Sequence, residues 1–155
     1  MKKLLIVLCL ITVVAGQAAA QDYNTGIGFR GGPFNGVTVK HFIKQNGAVE
    51  VLMASRWRGF EATGLYEIHY DIRNVDRLKF YFGAGGHLGV YNGKHTGWND
   101  NEGAYLVLGA DLVLGIEYSF RELPINLGFD WKPAYNILGS RFVADGAAFS
   151  IRFIF

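Results

Sequence analysis

The stretch AYLVLGADLVLGIEYSF, Ala104–Phe120, decides the fold. Every second residue is apolar or aromatic: Leu106, Leu108, Ala110, Leu112, Leu114, Ile116, Tyr118 and Phe120. The alternate set, Tyr105, Val107, Gly109, Asp111, Val113, Gly115 and Glu117, mixes small, charged and apolar residues. A period of two is the signature of a β-strand with chemically different faces. No stretch nearby carries the 3.6-residue period of a helix.

Working outward, the same alternation recurs. Leu78 to Tyr91 sets Leu78, Phe80, Phe82, Ala84, Leu88 and Val90 against Lys79, Tyr81, Gly83, Gly85, His87 and Gly89. Phe60 to Ile72 sets Tyr66, Ile68, Tyr70 and Ile72 against Glu61, Thr63, Glu67, His69 and Asp71. Ile125 to Tyr135 sets Leu127, Phe129, Trp131 and Tyr135 against Asn126, Gly128, Asp130 and Lys132. The last strand places Phe149, Ile151, Phe153 and Phe155 on one face, with Ser150 and Arg152 on the other. Tyr23 to Arg30 alternates clearly and Val37 to Ile43 more weakly. Ala48 to Ala54 reads as a strand whose register the pattern does not fix. That makes eight strands. Short turns at Gln45–Gly47, Arg73–Arg77 and Arg121–Pro124 alternate with mostly longer connections at Gly31–Asn35, Ser55–Gly59, Asn92–Gly103 and Asn136–Asp145.

Alternation does not say which face is inside. A soluble eight-stranded barrel turns its apolar parity inward, and an outer-membrane barrel turns it towards lipid. Three features favour lipid. The polar parity is rich in glycine (Gly26, Gly28, Gly83, Gly85, Gly89, Gly109, Gly115 and Gly128), which weakens a strand but makes room in a narrow lumen for Arg, Lys, Tyr and Glu. Charges on that parity are few and of both signs, as buried charge requires. The apolar parity is bulky, with Tyr70, Tyr118, Phe153 and Phe155 near the short-turn end and Phe29, Phe60 and Tyr135 near the other, the pattern of two interfacial girdles.

The N-terminus adds an address. Lys2 and Lys3 precede the apolar run Leu4–Val14, and Ala18-Ala19-Ala20 supplies small residues for cleavage. Residues 1–20 thus read as a secretory signal peptide and 21–155 as the barrel. The whole chain has 155 residues, 15 Lys+Arg, 13 Asp+Glu and a formal charge of +2. Removing Lys2 and Lys3 cancels that charge, so nucleic-acid binding has no electrostatic support. The single Cys, Cys9, lies in the leader, which excludes a disulfide scaffold and thiol chemistry for the remainder.

With its leader, eight alternating strands, alternating short and long connections and terminal Phe155, the chain resembles the small eight-stranded outer-membrane β-barrel proteins of diderm bacteria. The resemblance implies an all-β, antiparallel, up-and-down transmembrane β-barrel with both termini in the periplasm and the longer loops outside. Phe149, Ile151, Phe153 and Phe155 look like the C-terminal signal that such proteins present to the barrel-assembly machinery. The other expected partner is outer-membrane lipid, including lipopolysaccharide, around a monomer.

Candidate site residues follow from inward parity. Asp71 and Glu117 fall opposite Lys79 if neighbouring strands pair across their turns. Asp111 is expected to approach Lys132, and Asp130 to approach Arg152. Together they predict a ladder of ion pairs filling the lumen, because eight strands enclose little space. A proton or ion path, or a narrow pore for small solutes, is the functional alternative. His69 and His87 share the inward parity, but two separated histidines make no metal site, and no cofactor is expected. Outer-loop contact candidates are Trp98 and His95, together with Arg56, Trp57 and Arg58, whose arginines could hold lipopolysaccharide phosphates. A lipid-modifying enzyme, deacylase- or acyltransferase-like, would need a nucleophile within reach of a base. Only His95, Asp100 and Ser140, all on outer loops, keep that reading open. The sequence favours a structural or surface-contact role without catalysis.

Overall fold

In the computed structural model, residues 23–56, 59–92, 104–138 and 141–155 are described. They form ten strand segments and no helix: β1 Thr25–Gly31, β2 Asn35–Phe42, β3 Gly47–Arg56, β4 Gly59–Asp71, β5 Leu78–Asn92, β6 Ala104–Ser119, β7 Ile125–Trp131, β8 Ala134–Asn136, β9 Arg141–Val143 and β10 Ala147–Ile154. All pairings are antiparallel. Each strand pairs with the next through β7, and β10 joins β7 to β1, so the sheet closes.

The ten segments make eight staves. β7 and β8 continue one ladder along β6, with Trp131 opposite Leu114 and Ala134 opposite Asp111. Between them Pro133 has no amide hydrogen to give, although its carbonyl still accepts from Leu112 N at 2.9 Å. β9 and β10 also form one stave. Val143 lies opposite Ala134 and Ala147 opposite Trp131, so three residues, 144–146, face two. This is a β-bulge. The connection expected over Asn136–Asp145 is therefore shorter than its sequence suggests, because Arg141–Val143 is paired strand. The connection at residues 32–34 is short as well, and 57–58 lie outside the described residues. Only 93–103 remains long, and it lies outside the described residues.

Register fixes the faces. On β6, Leu106, Leu108, Leu112, Leu114, Ile116 and Tyr118 are exposed, while Val107, Asp111, Val113 and Glu117 are buried. On β3, Val49, Val51 and Met53 point out and Ala48, Glu50 and Leu52 point in. Both β3 parities are mostly apolar, which is why its sequence pattern is weak. Phe29, Phe60, Tyr70, Tyr118, Tyr135, Phe153 and Phe155 are all exposed on the outer face.

The inside reverses the rule for soluble proteins. Arg152, Lys40, Glu67, Glu117, Asn126 and Asp111 are among the most completely buried side chains. Apolar filling includes two small clusters: Tyr23, Phe42, Ala48 and Ile154 at the short-turn end, and Leu52, Leu65, Tyr81 and Val113 higher up. Glycine makes the room. A Cβ on Gly115 would stand 2.5 Å from the Tyr81 ring, and one on Gly109 would stand 2.4 Å from the His87 ring. By contrast, outward-facing Gly64 has nothing within 4 Å of its Cβ position.

Candidate functional site

The lumen contains two tiers of charge. The inner tier lies towards the short turns, and Lys40 is its hub. Its Nζ lies 2.7 Å from Glu67 Oε2, 3.2 Å from Glu117 Oε2 and 3.6 Å from Glu50 Oε2. It also sits 4.0 Å from the centroid of the Tyr81 ring, whose negative face suits a cation. Arg152 Nη2 meets Glu50 Oε1 at 2.5 Å, and its Nη1 donates to Asn126 Oδ1 at 3.2 Å and lies 3.9 Å from Glu117 Oε2. The Thr38 hydroxyl donates to Glu50, and the Tyr23 hydroxyl donates to Glu117 at 3.0 Å. His69 Nε2 lies 3.1 Å from Glu67 Oε2, with its ring stacked 4.9 Å from that of Tyr81. Buried ions persist only when paired and hydrogen-bonded, and here each cation meets several oxygens.

The outer tier is divided. Arg30 pairs with Asp130, and the Tyr81 hydroxyl also donates to that carboxylate, at 3.3 Å. Separately, Lys132 Nζ lies 2.5 Å from Asp111 Oδ1 and 3.6 Å from Glu61 Oε1. The Tyr91 hydroxyl donates to Glu61 at 2.7 Å. His87 Nδ1 lies 2.7 Å from Asp111 Oδ2, and its Nε2 lies 3.0 Å from Asn136 Oδ1. Phe34, from the connection between β1 and β2, folds inward until its ring centroid is 5.6 Å from Lys132 Nζ. Below it is a cavity of about 20 Å³ lined by Glu61, His87, Tyr91, Lys132 and Asn136. That is room for about one water molecule.

The lumen residues named from sequence fall into three groups. Asp111 and Lys132 are in contact. Asp71 and Lys79 are 2.8 Å apart, but the Asp71 side chain is 82% exposed, so this pair belongs to the rim. Glu117 lies opposite Lys79 in the ladder, yet its carboxylate reaches Tyr23, Lys40 and Arg152. The expected approach of Asp130 to Arg152 does not occur. Register puts Asp130 opposite Ala148 and Arg152 opposite Asn126, four residues along the strand, so Asp130 takes Arg30 and Arg152 takes Glu50.

Sequence reading missed Lys40, Glu50, Glu67, Arg30 and Glu61. The signal was present in part: the short turn at Gln45–Gly47 brings Lys40 opposite Glu50 once the register of Ala48–Ala54 is known. Contacts across the lumen, such as Lys40 to Glu117, leave no such trace.

On the outer wall, Phe149, Ile151 and Phe153 form one exposed stripe on β10 beside β1, with Phe155 following. Arg56 ends β3 opposite Gly59, and its side chain is outside the described residues. Trp57, Arg58, His95, Trp98, Asp100 and Ser140 are also outside them. Among the described residues no group of three or more His, Cys, Asp or Glu could hold a metal ion.

The barrel is similar to the crystal structure of the N-terminal β-barrel domain of OprF from Pseudomonas aeruginosa. The TM-score is 0.68 at 16% sequence identity, over 87% of this chain and 98% of that one. At that identity the likeness speaks for the fold: a closed eight-stranded antiparallel barrel. No family model matches the chain. No curated protein matches it either.

Proposed function

We propose that this chain is a small integral outer-membrane β-barrel whose lumen is filled rather than open, with a structural or surface-contact role and no catalysis. One observation carries the reading: among the described residues, Arg152, Lys40, Glu67, Glu117 and Asp111 are fully buried, while most of the bulky apolar residues are exposed. An apolar solvent suits that arrangement, because the sheet closes on itself through β5–β6 and β1–β10 and the outer wall is dominated by apolar and aromatic side chains. The OprF-like fold fits the same reading. So does the leader expected over residues 1–20.

The filled lumen supports the lack of a pore. Lys40 and Arg152, both fully buried, stand across the inner tier, with Tyr23 and Phe42 below and Phe34 above. The exposed stripe from Phe149 to Phe155 suits recognition by the assembly machinery. The outer loops, with Trp98, His95 and the Arg56-Trp57-Arg58 run, supply the surface available for contact with lipopolysaccharide or a partner.

The test is expression of the full chain in a diderm host. The protein is expected in the outer-membrane fraction, extractable only with detergent, with gel mobility that shifts on heating. Reconstituted in planar bilayers it gives no stable conductance steps, and the lipid A mass profile of the host is unchanged. Recovery as a detergent-free periplasmic protein would contradict the membrane reading. Steady channels would contradict the filled lumen, and a new lipid A species would contradict the absence of catalysis.

A further inference from the structure

The buried charges do not balance. Among the described residues, Glu50, Glu61, Glu67, Asp111, Glu117 and Asp130 are buried against Arg30, Lys40, Lys132 and Arg152. The shortfall divides evenly between the tiers. Inside, Glu50, Glu67 and Glu117 face Lys40 and Arg152. Outside, Glu61, Asp111 and Asp130 face Arg30 and Lys132. Each tier is one positive charge short, and an uncompensated charge within an apolar belt is costly.

Each tier also has one histidine seated against a carboxylate, 3.1 Å for His69 to Glu67 and 2.7 Å for His87 to Asp111. In the inner tier, Glu67 Oε1 and His69 Nδ1 are buried without a hydrogen bond, and the nearest carboxylate oxygen to Nδ1 is Glu117 Oε1 at 3.5 Å. In the outer tier, both ring nitrogens of His87 face oxygens, Asp111 Oδ2 and Asn136 Oδ1. A doubly protonated imidazole donates to both at once, to Asp111 from Nδ1 and to Asn136 from Nε2.

We infer that each tier stores one proton beyond those on its lysine and arginine, one shared by Glu67 and His69 and one by His87 and Asp111, so that mild acid tightens the barrel. The surroundings are compatible with this on every side. Glu67 and His69 on β4 are faced by Lys40 from β2, Glu50 from β3, Tyr81 and Lys79 from β5, Glu117 from β6, Arg152 from β10 and the Tyr23 hydroxyl. The His87–Asp111 pair is faced by Glu61 from β4, Tyr91 from β5 and Lys132 and Asn136 from the β7–β8 stave.

Protons bound by the folded barrel and released by the unfolded chain make stability fall as pH rises. Above about pH 7 an unfolded Glu or His side chain holds little proton. Two stored protons then lower the folding equilibrium constant by up to about a hundredfold per pH unit, and one by about tenfold. The experiment is urea unfolding of the refolded full chain in detergent micelles between pH 7 and 8. Glu67→Gln neutralises the inner tier without a proton, and Asp111→Asn does so for the outer. Each is expected to cut the slope to about tenfold while the barrel stays folded at pH 8, and the double variant removes the slope. Glu117→Gln, which takes a carboxylate from both Lys40 and Arg152, destabilises throughout the range. A wild-type stability that is flat or rises with pH overturns the inference. So does a Glu67→Gln barrel that keeps the full slope. If a variant fails to fold, the wild-type slope alone decides.

Discussion

The inner and outer tiers use the same residue types and the same deficit of charge, but they are wired differently. In the inner tier Lys40 touches three carboxylates, and Glu50 and Glu117 each meet both Lys40 and Arg152. It is one connected network spanning the lumen. The outer tier separates into an Arg30–Asp130 pair and a Lys132–Asp111–Glu61 group, with a small cavity beside the latter. Removing a cation of the network leaves several buried carboxylates unsatisfied at once. Removing Lys132 leaves Asp111 with His87 and Glu61 with Tyr91. The inner tier should therefore hold the staves together, and the outer tier should tolerate change.

Substitutions at the two tiers test that contrast, the largest effect first. Arg152→Met should cost about 3–5 kcal/mol in urea unfolding, because Glu50 loses its closest cation while staying buried. Lys132→Met should cost less, about 1–3 kcal/mol, since its carboxylates keep other partners. Equal costs at the two sites would erase the distinction. Sterics make a similar comparison between the two sides of the wall. Gly115→Leu drives atoms into Tyr81 and should cost about 1–3 kcal/mol by overpacking. Outward Gly64→Ala, with open space at its Cβ position, should be neutral or stabilise by up to about 1 kcal/mol in the same assay. Phe34→Ala should have the smallest consequence for closure. It opens the outer mouth but leaves the inner tier intact, so planar-bilayer recordings should remain without conductance steps.

The fold was legible wherever one parity was uniformly apolar. Ala104–Phe120 and Leu78–Tyr91 determine strand, face and neighbour, and Lys79 stands opposite both Asp71 and Glu117 as the turns dictate. Ala48–Ala54 was illegible because Leu52 and Ala48 face the lumen while Val49, Val51 and Met53 face out, leaving almost no polar contrast. The bulge at residues 144–146 was also hidden, since a one-residue offset changes pairing without changing composition. The charge partners were less readable than the wall. Ladder arithmetic identifies neighbours around the sheet, but in a narrow lumen long side chains reach over intervening staves. Arg152 on β10 passes β1 and β2 to meet Glu50 on β3, and that choice depends on three-dimensional closure.

The most direct test of the central claim, that the apolar parity meets lipid and the charged parity fills the lumen, is a cysteine scan along β6. Single cysteines at successive positions from Leu112 to Glu117 are introduced into the reconstituted barrel, labelled with a fluorophore and exposed to a quencher confined to the acyl chains. Strong quenching at 112, 114 and 116, and little labelling or quenching at 113, 115 and 117, is the predicted result. Uniform quenching, or the opposite phase, would contradict it.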